Sequence, residues 1–97
     1  MSDIDEITDA LLRFRDERNW EQFHNPKDLS IAISIEAAEL NELFLWKDQD
    51  EANEVNKEQV KEELADILAF SLLLAEKYHL DVKQTVLDKI ETNRKKY

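Results

Sequence analysis

The chain contains no glycine in 97 residues and a single proline, Pro26. A β-rich fold of this length needs tight turns at several places, and glycine is the usual supplier of positive φ. An all-α fold is what remains, and the length leaves room for one domain, over residues 1–97. There is no cysteine, so disulfide frameworks, thiolate zinc sites and Cys nucleophiles are excluded. No serine is framed by glycines either, which removes the nucleophile-elbow hydrolases. The strongly apolar run over 67–75 falls far short of the roughly 20 residues that span a bilayer. The first residues are acidic, unlike the basic start of a signal peptide. A cytoplasmic setting is expected.

Charge narrows the partners. Lys and Arg number 13 against 23 Asp and Glu, for a net charge of −10. Nucleic acid and anionic membrane surfaces both ask for a basic face, so neither is expected as the main partner.

Ile4, Ile7, Leu11 and Phe14 recur at helical spacing and predict a first helix over about 3–18, capped by Ser2 or Asp3. The period fails over 19–27, where Pro26 marks a loop. Asp28 is read as the N-cap of a second helix running to Trp46 or Lys47. The acidic stretch 47–56 reads as a solvated connection. Asn56 with Gln59, and Asp81 with Gln84, have capping-box spacing. They predict a third helix to about Tyr78 and a fourth beyond Asp81. With only His79 and Leu80 between them, these two are expected to form an antiparallel hairpin.

The result is a four-helix, bundle-like arrangement with too little interior. Residues 29–35 and 67–75 are apolar or small in every direction around their helices, and such helices are buried all round. A chain this small cannot bury two of them by itself. A dimer, or a dimer of dimers, is expected.

Acids interrupt these apolar helices. Glu36 and Glu39 stand three apart in the second helix, and Glu63 and Asp66 repeat the spacing in the third. Each pair therefore lies on one helix face. Ala37, Ala38 and Ala65 between them allow a close approach. In a chain this acidic, paired acids are commonplace on solvated faces. The apolar flanks and the duplication favour a hard divalent cation shared by the two pairs, since crowded carboxylates are costly without a counter-charge. Glu42 and Glu62 are close in sequence but are expected to face solvent.

Trp20, Phe23 and Trp46 either seal helix ends or offer a stacking wall to a planar base, and sealing is preferred for Phe23. Residues 81–97 are the one basic region. Its charges suit the end of a helix dipole, while Lys89 and Asn93, one turn apart, can reach a phosphate or a base.

Taken together, residues 18–26 (Arg-Asn-Trp-Glu-Gln-Phe-His-Asn-Pro), Glu36-Ala37-Ala38-Glu39-Leu40, Leu43-Phe44-Leu45-Trp46, Glu63-Leu64-Ala65-Asp66 and Asn93-Arg94-Lys95-Lys96-Tyr97 resemble the MazG-like all-α nucleoside triphosphate pyrophosphohydrolases. Within them they resemble the dCTP pyrophosphatase group. The resemblance covers nearly the whole chain. It implies hydrolysis of a nucleoside triphosphate to the monophosphate and pyrophosphate with Mg²⁺, which Mn²⁺ can replace, in a homodimer or homotetramer. Carried over, Glu36, Glu39, Glu63 and Asp66 are the catalytic metal ligands. Trp20 and Trp46 line the base pocket with His24 at its edge, and Lys89 and Asn93 contact the nucleotide. Leu11 and Phe70 stand where dCTP-selective relatives carry His and Tyr, which argues against strict cytosine selectivity. The competing readings are a non-catalytic helical interaction module and a related enzyme acting on dUTP or a phosphoribosyl nucleotide.

Overall fold

A computed structural model describes residues 2–97. It is helical throughout: α1 spans Asp3–Glu17, α2 Pro26–Glu42, α3 Gln49–Ala52, α4 Lys57–Lys77 and α5 Val82–Lys96, with a 3₁₀ turn at Glu21–Phe23. Among the described residues there is no strand, as the missing glycines require.

Local chemistry explains most of the boundaries. The Ser2 hydroxyl accepts from the Asp5 N–H at 3.1 Å while the Asp5 carboxylate accepts from the Ser2 N–H, closing a capping box on α1. Asn56 accepts from the N–H groups of Glu58 and Gln59 at the start of α4, and Asp81 from that of Gln84 at the start of α5. These three starts fall where the sequence places them.

The start of α2 does not. Its N-cap is Asn25, whose side-chain oxygen accepts from the Asp28 N–H at 2.9 Å, and Pro26 is its first helical residue. Proline suits that position because its missing N–H is one the helix would leave unpaired anyway. Asp28 lies inside the first turn, where its carboxylate accepts from the Asn25 amide. At the other end α2 stops at Glu42, and residues 43–46 form turns. The solvated connection also contains α3, closed by an Asp48–Glu51 capping box.

Among the described residues, three non-glycine positions take left-handed backbone: Asn19 (φ 55°), Trp46 (φ 63°) and His79 (φ 54°). Asn19 and His79 end α1 and α4 in Schellman fashion, with Trp20 N–H donating to the Arg15 carbonyl and Leu80 N–H to that of Ala75, both at 3.0 Å. Glycine normally fills these sites. Here other residues carry a conformation that costs a Cβ-bearing residue roughly 1–2 kcal/mol.

The packing departs further from expectation. α2 lies along α4 and α1 packs on α4, while α5 pairs extensively with no other helix. The expected hairpin of α4 and α5 is therefore not formed along its length: α5 stands away from α4 and leaves apolar residues of both helices exposed. Among the described residues only Leu29, Leu72 and Leu73 are fully buried. Leu68 is 60% exposed and Val86 53%, and Ile35 on α2 is likewise open. The Cα radius of gyration is 15.8 Å, against about 12–13 Å for a closed domain of this length. The chain is a frame of helices whose apolar faces are unfilled. Among the described residues no helix is long and apolar enough to cross a membrane.

Candidate functional site

The best-formed packing, α2 on α4, brings the acid pairs of both helices together. One carboxylate oxygen from each of Glu36, Glu39 and Glu63 lies within 4.8 Å of the others. Asp66 is exposed and stands outside this closest group, but its charge is felt at both Glu36 and Glu63. Glu42 and Glu62 face solvent.

Nothing among the described residues neutralises this cluster. Among the described residues no Lys or Arg forms an ion pair with Glu36, Glu39, Glu63 or Asp66. The Oε2 atoms of Glu36 and Glu63 are buried and accept no hydrogen bond. Desolvation, then the neighbouring Glu39 and Asp66 charges, push the Glu36 carboxyl from 4.5 up to about 7. Desolvation and the Glu39 charge raise Glu63 as well. Orphaned carboxylate oxygens converging from two rigid helices suit a hard divalent cation, which takes oxygen ligands and removes the repulsion that shifts both groups.

A second acid–histidine pattern leads elsewhere. Glu21 with His24, and Glu76 with His79, have the i, i+3 spacing used by helical di-iron centres. Here both glutamates are engaged by cations: Glu21 by Lys77 at 2.7 Å and Glu76 by Arg15 at 3.8 Å. The His24 imidazole is half-buried with Nδ1 unpartnered, and desolvation followed by the Arg15 and Lys77 charges lowers its pKa. It is neutral near pH 7.

The aromatic and basic residues singled out in the sequence lie on three other parts of the frame: the loop before α2, the turn after it, and α5. Trp20 packs edge-on against Phe14, with ring centroids 5.5 Å apart, and the Arg18 guanidinium lies over the Phe14 ring at 3.7 Å. The loop that carries Trp20 and His24 is tied to Lys77, fourteen positions beyond Glu63 on α4. By helical rise Lys77 stands about 21 Å from Glu63 and about 16 Å from Asp66, and Pro26, where the loop ends, about 15 Å from Glu36. Trp46 follows the end of α2 and is 97% exposed, so it seals nothing. Lys89 and Asn93 lie on the splayed α5. A cleft of about 480 Å³ sits where α1 meets the α4–α5 turn, lined by Thr8, Glu76, His79 and Lys83 among others, and includes none of the four acids.

The Glu21–Lys77 tie was missed in the sequence, since nothing in a linear pattern pairs residues 56 positions apart. The short α3 carried a readable signal, Asp48 three positions before Glu51.

This chain matches the model of the MazG-like family over residues 31–97. It is 37% identical to dCTP pyrophosphatase 1 of Mus musculus over 99 residues, covering 97% of this chain and 58% of that protein. With the Bos taurus dCTP pyrophosphatase 1 the identity is 38%, over 97% and 59%. The chain thus spans under two thirds of the length of these curated relatives. A solved structure of a pyrophosphatase from Archaeoglobus fulgidus superposes with a TM-score of 0.95 at 40% identity, covering 100% of this chain and 94% of that one.

Proposed function

The chain belongs to the MazG-like family, and from that premise we propose that it hydrolyses nucleoside triphosphates, dCTP or related deoxynucleotides among them, to the monophosphate and pyrophosphate with Mg²⁺. The observation that carries this reading is the meeting of Glu36, Glu39 and Glu63, with buried, unpaired oxygens on Glu36 and Glu63 and, among the described residues, no Lys or Arg paired to any of them. A non-catalytic interaction module has no use for that arrangement.

In this reading Glu36, Glu39, Glu63 and Asp66 hold the metal. When bound, the divalent ion supplies the positive charge that offsets the polyphosphate and eases attack by water. The protein's own part is to keep four oxygen donors on two helices that are fixed against each other, so that little reorganisation is needed when substrate arrives. Trp20 and Trp46 offer aromatic faces to the base, with the neutral His24 imidazole at its edge. Lys89 and Asn93 contact the nucleotide.

The working form is a homodimer or homotetramer. Support comes from the open frame, with its exposed Leu64, Leu68, Val86, Leu87 and Ile90, and from an open apolar groove of about 510 Å³ formed by Val60, Leu64, Ala65 and Leu68 beside the acid-bearing face of α4. A second copy laid there fills the frame and brings its own Trp20 loop toward the acid-bearing face. A cytoplasmic setting suits a nucleotide substrate.

Pyrophosphate release from a panel of dNTPs and NTPs, with and without Mg²⁺, tests the activity. Metal-dependent pyrophosphate supports it. Orthophosphate as the sole product, or no release by a folded assembly across the panel, contradicts it.

A further inference from the structure

We propose that Lys77 is a positioning residue, which through Glu21 holds the 3₁₀ turn so that Trp20 presents its ring to the base; this rests on the nucleotide reading of Trp20 above. Lys77 is the last residue of α4, far from the acids, and belongs to no recognisable sequence motif. Its Nζ donates to Glu21 Oε1 at 2.7 Å, and its side chain is only 20% exposed. The remaining polar ties of the loop are to itself or to its own flanking helices. Trp20 N–H donates to Arg15, Gln22 to the Asn19 carbonyl, and Asn25 exchanges hydrogen bonds with Asp28. Among the described residues, Glu21–Lys77 is thus the one side-chain hydrogen bond joining this loop to α4.

The position of the Trp20 ring depends on that bond. Trp20 is the N-cap of the turn that Glu21 opens, and it follows Asn19, whose left-handed backbone sets the direction of the chain. On one side the ring is braced by Phe14. The turn itself is only three residues long and has no side-chain cap, so by itself it holds weakly. Arg15, whose side chain is 11% exposed, reaches Glu76 beside Lys77 and keeps the end of α1 in reach. Glu21 then fixes the turn to α4. Because Glu21 is half-exposed, the pair contributes little to global stability. Its effect is on where one aromatic ring stands.

The test uses Lys77→Ala and Lys77→Arg, together with the exchange Lys77→Glu/Glu21→Lys, all in the full-length chain. In steady-state pyrophosphate release, Lys77→Ala is expected to raise KM for the preferred nucleotide about fivefold, the size of one half-exposed ion pair, with kcat within twofold. Lys77→Arg and the exchange restore KM. A second measurement does not need turnover: in a Trp46→Phe background, where Trp20 is the sole tryptophan, acrylamide quenching reports its exposure. Lys77→Ala is expected to increase quenching, and the exchange to reverse it. Unchanged quenching overturns the proposal whatever the activity. A parallel fall in kcat with a large loss of Tm overturns it too, by making Lys77 a structural residue. Failure of the nucleotide reading shows separately, as wild-type protein that releases no pyrophosphate. A changed Trp20 without any KM effect in active enzyme also overturns the proposal.

Discussion

Glu36 on α2 and Glu63 on α4 face each other with one buried oxygen apiece that accepts no hydrogen bond, and Glu39 lies within 4.8 Å of both. A fold left to maximise stability would not keep this. Two ionised carboxylates without a cation repel and are poorly solvated. The arrangement is stable when something positive is shared between them, and that is the basis of the functional reading.

The first prediction concerns pH. Glu36 has a pKa near 4.5 when the chain is unfolded and about 7 when it is folded. Between those values the native state binds more protons than the unfolded state, so the unfolding free energy falls as pH rises through that window, and the penalty is complete above it. Glu36→Gln removes the penalty. In metal-free buffer the variant should melt higher than wild type at pH 8 and about equally at pH 4.5. A lower melting temperature at pH 8 would make Glu36 a structural acid.

Metal should reverse that order. A ligand that binds only the native state, at a hundred times its dissociation constant, stabilises by about 2.7 kcal/mol. Thermal shifts with Mg²⁺ or Mn²⁺ are expected for wild type, and little or none for Glu63→Ala. An equal shift in both proteins would place the metal elsewhere.

Assembly gives the third prediction. Leu68→Glu puts a charge into the apolar groove on α4 and should lower the mass measured by sedimentation, with a concentration-dependent melting temperature in wild type only. A site shared between copies also predicts that Glu63→Ala and Trp20→Ala chains, each impaired alone, regain activity when unfolded and refolded together. A wild type that sediments as a monomer, or mixed chains that stay inactive, would refute the shared site.

Much of the frame was legible in the sequence, and what was not has identifiable causes. The starts of α1, α4 and α5 follow from side-chain caps within three residues, a local signal. So does the meeting of Glu36, Glu39 and Glu63, because i, i+3 spacing puts each pair on one face of its helix, although Asp66 stands outside the closest group. At α2 the proline was read as a loop marker, although it serves equally well as a first helical residue after Asn25. The splaying of α5 was not legible. Its apolar residues look the same whether they cover the chain's own α4 or a second copy. Distances such as Glu21 to Lys77 depend on how α1 packs on α4, which no periodicity encodes.

Left-handed backbone without glycine gives a fourth prediction. His79→Gly should stabilise the protein by about 1 kcal/mol by removing the Cβ conflict at the end of α4. Trp46→Gly should relieve the same strain while raising KM for nucleotide, since Trp46 is 97% exposed and covers no core. Calorimetry and kinetics on the two variants separate the effects. If Trp46→Gly leaves KM unchanged, Trp46 is not part of the base pocket.

The most direct test of the central claim is pyrophosphate release by wild type and Glu63→Ala across a Mg²⁺ titration, on samples shown by circular dichroism and sedimentation to be equally folded and assembled. Metal-dependent pyrophosphate from wild type, lost in Glu63→Ala, is the predicted result. Activity retained by the variant at every Mg²⁺ concentration would contradict the assignment of the paired acids as the catalytic centre.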